Sequence, residues 1–232
     1  MSKELDNIFI DVRNAFRLLN KYQERVLQTV TYIREQTPYK NMWGSRNWYF
    51  DKIKECRNSP APNYAKLKVH KDMWGWDFLY GYIFEYYFGC EKIDRKNAEM
   101  SIFQISDDGY FISSQEKKYM TNCTSFEHSE YSNSYLLFNV SVFQKKNCNN
   151  WLMDSQFPED GWQDFLTRFL SSSSNIKITR NDKGDVSISK KYNMQRFSSQ
   201  SKADEVIRDF GRIVIENTGI KLFKNSFYDP QI

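Results

Sequence analysis

The sequence predicts an α+β fold, with a long N-terminal helix packed on an antiparallel sheet and two further helices toward the C-terminus. Three observations carry this prediction. Apolar residues follow a heptad spacing through the first part of the chain, aromatic residues alternate along residues 74–88, and later strand-like segments follow one another without intervening helices. A chain of 232 residues with few Gly and Pro is expected to form one domain, residues 1–232.

Residues 1–37 are predicted to be one long helix. They contain neither Gly nor Pro, and seam positions recur at alternating intervals of four and three, the spacing of a coiled-coil seam. The seam consists of Leu5, Phe9, Val12, Phe16, Leu19, Gln23, Val26, Val30 and Ile33. At ~1.5 Å per residue the helix is ~50 Å long, so it spans the domain or projects from it. Either it packs on its own domain, or it docks a second copy or a protein partner through Phe9, Phe16, Gln23 and Val30.

Residues 39–71 are predicted to be a basic, aromatic-rich loop region. Eight basic residues minus two acidic ones give +6 here, more than the +4 of the whole chain. Single-stranded nucleic acid is bound by positively charged grooves that carry aromatic stacking platforms. The candidate nucleic-acid-binding residues are Trp43, Arg46, Trp48, Lys52 and Lys54. In the other interpretation the aromatic residues anchor the loop to the core while the lysines face water.

An aromatic stripe predicts a long strand within the sheet region, residues 72–145. The stripe consists of Trp74, Trp76, Phe78, Tyr80, Tyr82, Phe84, Tyr86 and Phe88. Alternate residues of a strand share one face, so all eight rings would lie on the same side, where the long helix could cover them. A strand of this length is expected to bend or bulge at Gly81. A buried helix is the alternative, although Gly81 and the period of two argue against it.

The remaining elements follow from shorter patterns. Asp107-Asp108-Gly109 predicts a hairpin between strands at 99–106 and 110–115, and residues 135–144 form another strand. Residues 157–219 are predicted to be a helix-hairpin-helix segment. Its first helix contains Trp162 to Leu170, its hairpin turns near 181–184, and its last helix begins at Ser201 and ends at Gly219.

The sequence lacks a strong catalytic or metal-binding motif. It has only two histidines, His70 and His128, and it contains no P-loop, no G-x-G-x-x-G and no G-x-S-x-G pattern. We therefore expect no cofactor and no metal.

Glu116-Lys117-Lys118 resembles the acid-x-lysine element of metal-dependent nucleases, which holds Mg²⁺ together with an acid that follows a proline on a neighbouring strand. This resemblance implies catalytic roles for Glu116 and Lys118, with Asp94 or Asp107 as the first acid. The chain lacks the proline of that motif, and a solvated strand end is the other interpretation.

The charged N-terminus and the absence of an 18-residue apolar run predict no membrane association and a cytoplasmic location. The four cysteines are accordingly expected to be reduced thiols. A composition poor in Ala and rich in Asn, Lys, Tyr and Phe is typical of AT-rich genomes, which favours a phage, mobile-element or bacterial defence context.

Together these patterns predict a non-catalytic interaction or assembly protein that self-associates as a homodimer, or docks a protein partner, through the N-terminal helix and the aromatic sheet face. Nucleic-acid binding by residues 39–71 is the alternative, and a metal-dependent nuclease is the second alternative.

Overall fold

A computed structural model describes residues 3–45, 67–68, 83–109, 126–144 and 162–228. Within these ranges the long N-terminal helix α1 (Lys3–Glu35) precedes a mixed region of strands and helices. The elements that follow are β1 (Trp43–Ser45), β2 (Leu67–Lys68), β3 (Ile83–Ile93), β4 (Lys96–Ile105), β5 (Tyr135–Phe143), α2 (Trp162–Leu170), β6 (Ile176–Arg180), β7 (Val186–Asn193) and α3 (Gln200–Thr218). Short 3-10 turns at Met194–Phe197 and Asn225–Phe227 flank α3.

All seven described strands belong to one antiparallel sheet, with the order β2-β1-β3-β4-β5-β7-β6. The predicted α+β fold, a long helix on an antiparallel sheet with two later helices, is therefore confirmed. The β6–β7 hairpin joins this sheet beside β5, where the sequence predicted only a helix-hairpin-helix segment. The described ends of the predicted loop 39–71 also join it, as the short strands β1 and β2.

The strand registers give the sheet two distinct faces. Tyr86 pairs with Ile102, Ile102 with Phe138, and Phe138 with Lys190, so even-numbered residues meet even-numbered residues across β4, β5, β7 and the part of β3 up to Tyr87. Beyond Tyr87 the register of β3 shifts by one residue, and Gly89 pairs with Met100. We call the side of the paired even-numbered residues the even face and the opposite side the odd face. The alternation of side chains along each strand therefore puts the apolar residues of four strands on one continuous surface.

The even face is covered by the second half of α1 and by α3. The two helices and the sheet share one core cluster, which includes Val26, Leu27, Val30 and Ile33 from α1, Val206, Ile207, Phe210 and Val214 from α3, and Phe84, Tyr86, Phe88, Ile102, Phe138 and Ile188 from the sheet. Helix α3 is capped by Ser199, whose hydroxyl accepts from the Lys202 amide, and it ends at Gly219 with φ of 76°. The first helical residue after this cap is Gln200, so the predicted start at Ser201 is one residue late.

The described part of the aromatic stripe is a strand, and the buried-helix alternative is wrong there. Phe84, Tyr86 and Phe88 are at most 3% exposed on the even face, while residues 74–82 lie outside the described ranges. The register shift of β3 falls between Tyr87 and Gly89. Gly89 has φ of 104°, and a Cβ there would lie 3.2 Å from the Trp43 ring, so both the bulge and the close approach require glycine. Gly81, where we expected a bend, lies outside the described residues.

The hairpin that includes β4 differs from the predicted one. A two-residue turn of Asp94 and Arg95, with φ of 48° and 72°, joins β3 to β4, as in a type I′ hairpin. Strand β4 is paired with β3 on one edge and with β5 on the other. Residues 107–109 instead contact the loop before β5, where the Asp108 amide donates to the Asn133 carbonyl at 3.0 Å. The strand predicted at 110–115 lies outside the described residues.

Two further findings concern the cysteines and the helices. Cys90 is disulfide-bonded, so the expectation of four reduced thiols is wrong for this residue, while Cys56, Cys123 and Cys148 lie outside the described residues. Among the described helices, none combines the length and the apolar character that a membrane span requires.

Phe138→Ala tests the core of the even face. The Phe138 ring centroid lies 5.2 Å from that of Phe210 and 5.3 Å from that of Tyr192, and truncation leaves a cavity between them. We expect the free energy of unfolding, measured by urea denaturation, to fall by about 3–5 kcal/mol. Tyr131→Ala is the control, because Tyr131 is 70% exposed and its loss should change stability by less than about 0.5 kcal/mol. Equal effects of the two changes would contradict this core.

Asp209→Asn tests the ion pair that ties α3 to β7. Lys190 Nζ and the Tyr192 hydroxyl donate to Asp209 Oδ2 at 2.5 and 2.7 Å. Burial alone would raise the pKa of Asp209, but these hydrogen bonds and the charges of Lys190 and Arg212 outweigh it and hold the pKa below the ordinary 3.8. The Asp209 carboxylate is therefore protonated at a higher pH in the unfolded chain than in the folded chain. The stabilisation that the ionised Asp209 gives the fold is lost as the pH falls through 3.8 and below.

We expect the wild type to exceed Asp209→Asn in stability by about 1–2 kcal/mol near neutral pH, and this difference to shrink in acid. Urea denaturation at a series of pH values measures it. Asp182→Asn, in the exposed β6–β7 turn, controls for the loss of one negative charge. A difference that grows as the pH falls would show that the sign is wrong.

Candidate functional site

The first half of α1 exposes a large apolar surface. Every described side chain from residue 7 to residue 19 is exposed except Phe16, which is half-buried. The large apolar residues among them are 40–69% exposed, and they are Ile8, Phe9, Ile10, Val12, Leu18 and Leu19. Isolated exposed apolar residues are ordinary in proteins, whereas a group of them on one element is a candidate interaction surface.

Most of these residues lie on one side of the helix. At ~100° per residue, a stripe about 120° wide contains the exposed seam residues and their neighbours. We call this the N-terminal stripe, and its described members are Ile8, Phe9, Val12, Ala15, Phe16 and Leu19. The opposite side carries the exposed polar residues Asn7, Asn14, Arg17 and Lys21 together with one exposed apolar residue, Ile10. The first half of α1 is thus amphipathic without a described core beneath its apolar side.

The structure separates the four predicted docking residues into two groups. Phe9 and Phe16 belong to the N-terminal stripe, whereas Gln23 and Val30 are 3% and 0% exposed and lie against the sheet of their own chain. Packing on its own domain therefore holds for the second half of α1, and docking through the first half stays a prediction.

Gln23 marks the point where α1 meets the sheet. Its Oε1 accepts from Gln104 Nε2 at 3.0 Å, and Gln104 Oε1 accepts in turn from the Tyr86 hydroxyl at 2.9 Å. Burial raises the pKa of Tyr86 far above its ordinary value, so the phenol keeps the proton that it donates. The one polar residue of the predicted seam is thus hydrogen-bonded inside its own chain.

The candidate nucleic-acid-binding residues are described only at Trp43. Its ring is half-buried, with its centroid 6.0 Å from that of Tyr87. This contact agrees with an aromatic residue that anchors its segment to the sheet. Arg46, Trp48, Lys52 and Lys54 lie outside the described residues.

Of the candidate nuclease residues, the structure describes the two alternatives for the first acid, Asp94 and Asp107. Asp107 Oδ1 accepts from the Gly109 amide at 2.8 Å. Asp94 is exposed in the β3–β4 turn, and its Oδ2 accepts from the Lys221 amide at 3.4 Å. Glu116 and Lys118 lie outside the described residues. In the described parts of the chain, no group of three or more His, Cys, Asp or Glu side chains is placed to hold a metal ion.

The sequence analysis missed a row of buried polar residues on the odd face. We call it the polar row, and its members are Glu85, Tyr87, Glu99, Ser101, Asn139, Ser141, Ser187 and Ser189. None is more than 8% exposed. The alternation of polar residues can be seen in the sequence, but such alternation ordinarily indicates a solvated face. The burial of these residues is therefore evident only from the structure.

The polar row is joined by hydrogen bonds between its own members. Ser101 donates to Glu85 at 2.5 Å, and the Tyr87 hydroxyl lies 3.5 Å from Glu99 Oε1. Burial, together with the charges of Glu99 and Glu85, raises the pKa of Tyr87, which keeps this phenol a donor. The row joins β3 to β4 by side-chain as well as backbone hydrogen bonds.

The other end of the row is centred on Asn139. Its Oδ1 accepts from the hydroxyls of Ser187 and Ser189 at 3.4 and 3.2 Å, and Ser187 also accepts from Ser141 at 3.1 Å. These groups are engaged with one another, so the arrangement supports the pairing of β5 with β7 and we assign it no reaction.

Helix α2 packs on the odd face beside the polar row. Its apolar residues Phe165, Leu166, Phe169 and Leu170 form a second core cluster with Ile83, Phe103, Ile105 and Leu137. Lys191 Nζ donates to the carbonyls of Phe169, Leu170 and Ser172 at 2.8–3.2 Å and so caps the end of this helix. Burial lowers the pKa of Lys191, and the charge of Asp108 opposes this shift.

Asn139→Ala tests the polar row. The change removes the acceptor of two buried hydroxyls, and we expect it to lower the free energy of unfolding by about 1–3 kcal/mol in urea denaturation. Asn14→Ala, on the exposed polar side of α1, is the matched control and should be close to neutral. A neutral Asn139→Ala would mean that the row does not stabilise the sheet.

Comparisons with known proteins bear on the family alone. No curated protein and no solved structure matches the chain. A family described as PM0109 matches residues 2–219, a range that begins before α1 and ends just after α3. Because this match includes far more than half of the sequence, the chain belongs to the PM0109 family.

Proposed function

We propose that the protein is a non-catalytic assembly protein that self-associates, or docks a protein partner, through the N-terminal stripe. The observation that supports this proposal is the 45–52% exposure of Ile8, Phe9 and Val12 on a helix whose continuation is buried. Covering apolar surface is favourable by about 25 cal/mol per Å², so this stripe gains free energy from any complementary apolar surface.

The proposal rests on the helix and not on the described sheet surface. Phe84, Tyr86 and Phe88 are covered by α1 and α3 of the same chain, which leaves their rings no surface for a partner. Docking through residues 74–82 of the aromatic stripe stays a prediction, because these residues lie outside the described ranges.

The other hypotheses also stay predictions. The contact of Trp43 with Tyr87 supports an anchoring role more than a stacking platform, and Asp94 is described without its two predicted partners. A cytoplasmic location and a phage, mobile-element or defence context rest on the sequence alone. The disulfide at Cys90 argues against a reducing compartment, where disulfides are rare.

Phe9→Ser tests the proposed function. Phe9 is a 50% exposed member of the stripe, and we expect its loss to weaken self-association at least about tenfold, since a buried Phe side chain contributes about 1.5–3 kcal/mol. Sedimentation velocity over a concentration series measures the association. The matched control is Leu18→Ser, because Leu18 is more exposed, at 69%, but points away from the stripe.

Leu18→Ser is expected to associate like the wild type. Equal weakening by both changes would indicate non-specific apolar aggregation instead of a defined surface. A wild type that keeps the mass of one chain at every concentration would remove self-association from the proposal.

A further inference from the structure

We infer that the occupant of the N-terminal stripe is the same stripe of a second copy of this chain, with the two α1 helices running antiparallel about a two-fold axis. This inference rests on the proposed function and adds the identity and direction of the partner. Three features support it: the length of the exposed segment, the charges that flank it, and the heptad spacing itself.

The length of the exposed segment fits an antiparallel overlap. In antiparallel coiled coils, Phe9 of one helix would pack beside Val12 of the other, which places the two-fold axis between residues 10 and 11. Residue 3 then lies opposite residue 18, so the overlap ends just before the helix reaches Gln23. The overlap covers the stripe from Ile8 to Phe16 and ends one residue before Leu19, and neither helix runs into the sheet that holds the second half of α1.

A parallel pair fits less well. The seam continues from Phe16 and Leu19 into Gln23, Val26 and Val30, which already pack on the sheet of their own chain. A parallel partner that follows the seam would meet that sheet within one helical turn, and both folded bodies would crowd the same end of the helix pair.

The flanking charges favour the antiparallel pair. Asp6 and Arg13 occupy equivalent heptad positions on the same flank of the stripe, two turns apart. An antiparallel pair puts this flank of one copy beside the same flank of the other, so that position 6 of each copy lies across the interface from position 13 of the other, two residues off the level of direct opposition. The two-fold axis makes this juxtaposition twice. In a parallel pair position 13 lies opposite Ile8, which carries no charge, and positions 6 and 13 do not meet. Charges at the rim of an interface contribute little affinity but select its register and direction.

The size of the surface predicts a weak dimer. Two helical segments of this length bury on the order of 1,000 Å² in total, at the low end of specific interfaces. We therefore expect a dissociation constant for the dimer in the micromolar range.

Charge reversal tests direction and partner together. Arg13→Glu would place two carboxylates together at each juxtaposition of positions 6 and 13, and Asp6→Arg would place two guanidinium groups there. Each variant alone should therefore dimerise about three- to tenfold more weakly than the wild type in low salt. In an equimolar mixture the two variants can form a heterodimer. Asp6 of the Arg13→Glu chain then lies beside Arg13 of the Asp6→Arg chain. The introduced glutamate lies beside the introduced arginine, so both contacts join opposite charges.

Sedimentation velocity of each variant, of the mixture and of the double variant Asp6→Arg/Arg13→Glu measures this association, with circular dichroism to show equal helix content. Restored association in the mixture and in the double variant supports the antiparallel dimer. If Phe9→Ser dissociates the assembly but the mixture only averages the two variants, the antiparallel arrangement is overturned and the proposed function stands. If the wild type remains one chain up to about 100 µM, the second copy is overturned as the occupant together with self-association.

Discussion

The structure depends on the register of four antiparallel strands. Because the pairings of β4 with β5, of β5 with β7, and of β3 up to Tyr87 with β4 match even-numbered residues with even-numbered residues, apolar side chains from distant parts of the chain form one surface. A shift of one residue in any pairing would turn that strand's apolar side to the odd face. The helices α1 and α3 pack on this surface, so the position of the exposed stripe follows from the sheet.

Helix α1 carries one continuous seam in two different surroundings because it is longer than the sheet that covers it. Its 33 residues extend for ~50 Å at ~1.5 Å each, whereas the 11 residues of β3 extend for ~36 Å at ~3.3 Å each. The described strands therefore do not cover the helix from end to end. The seam residues from Val26 onward are covered by the sheet, and Phe9 and Val12 lie beyond it.

Local patterns predicted the elements better than their surroundings. The heptad spacing located α1 to within two residues, and the alternation in 135–144 located β5, because both follow from the chain's own geometry. The burial of Asn139 on the odd face was not predictable, since it depends on what packs there and not on the strand. For the same reason, Phe9 and Val30 occupy identical positions in the sequence pattern, yet one is half exposed and the other is fully buried.

Gln23 connects the fold to the proposed surface. A single polar residue in an apolar seam costs stability but fixes register, because its hydrogen bond forms in one alignment only. Here the alignment is set by the Gln23–Gln104 hydrogen bond and by the Tyr86 hydroxyl beneath it. Sliding α1 by one turn along the sheet would bury Gln23 without these partners, at a cost of about 1–3 kcal/mol for the unsatisfied amide. The same contact that fixes the helix on the sheet therefore determines how much of the helix extends beyond it.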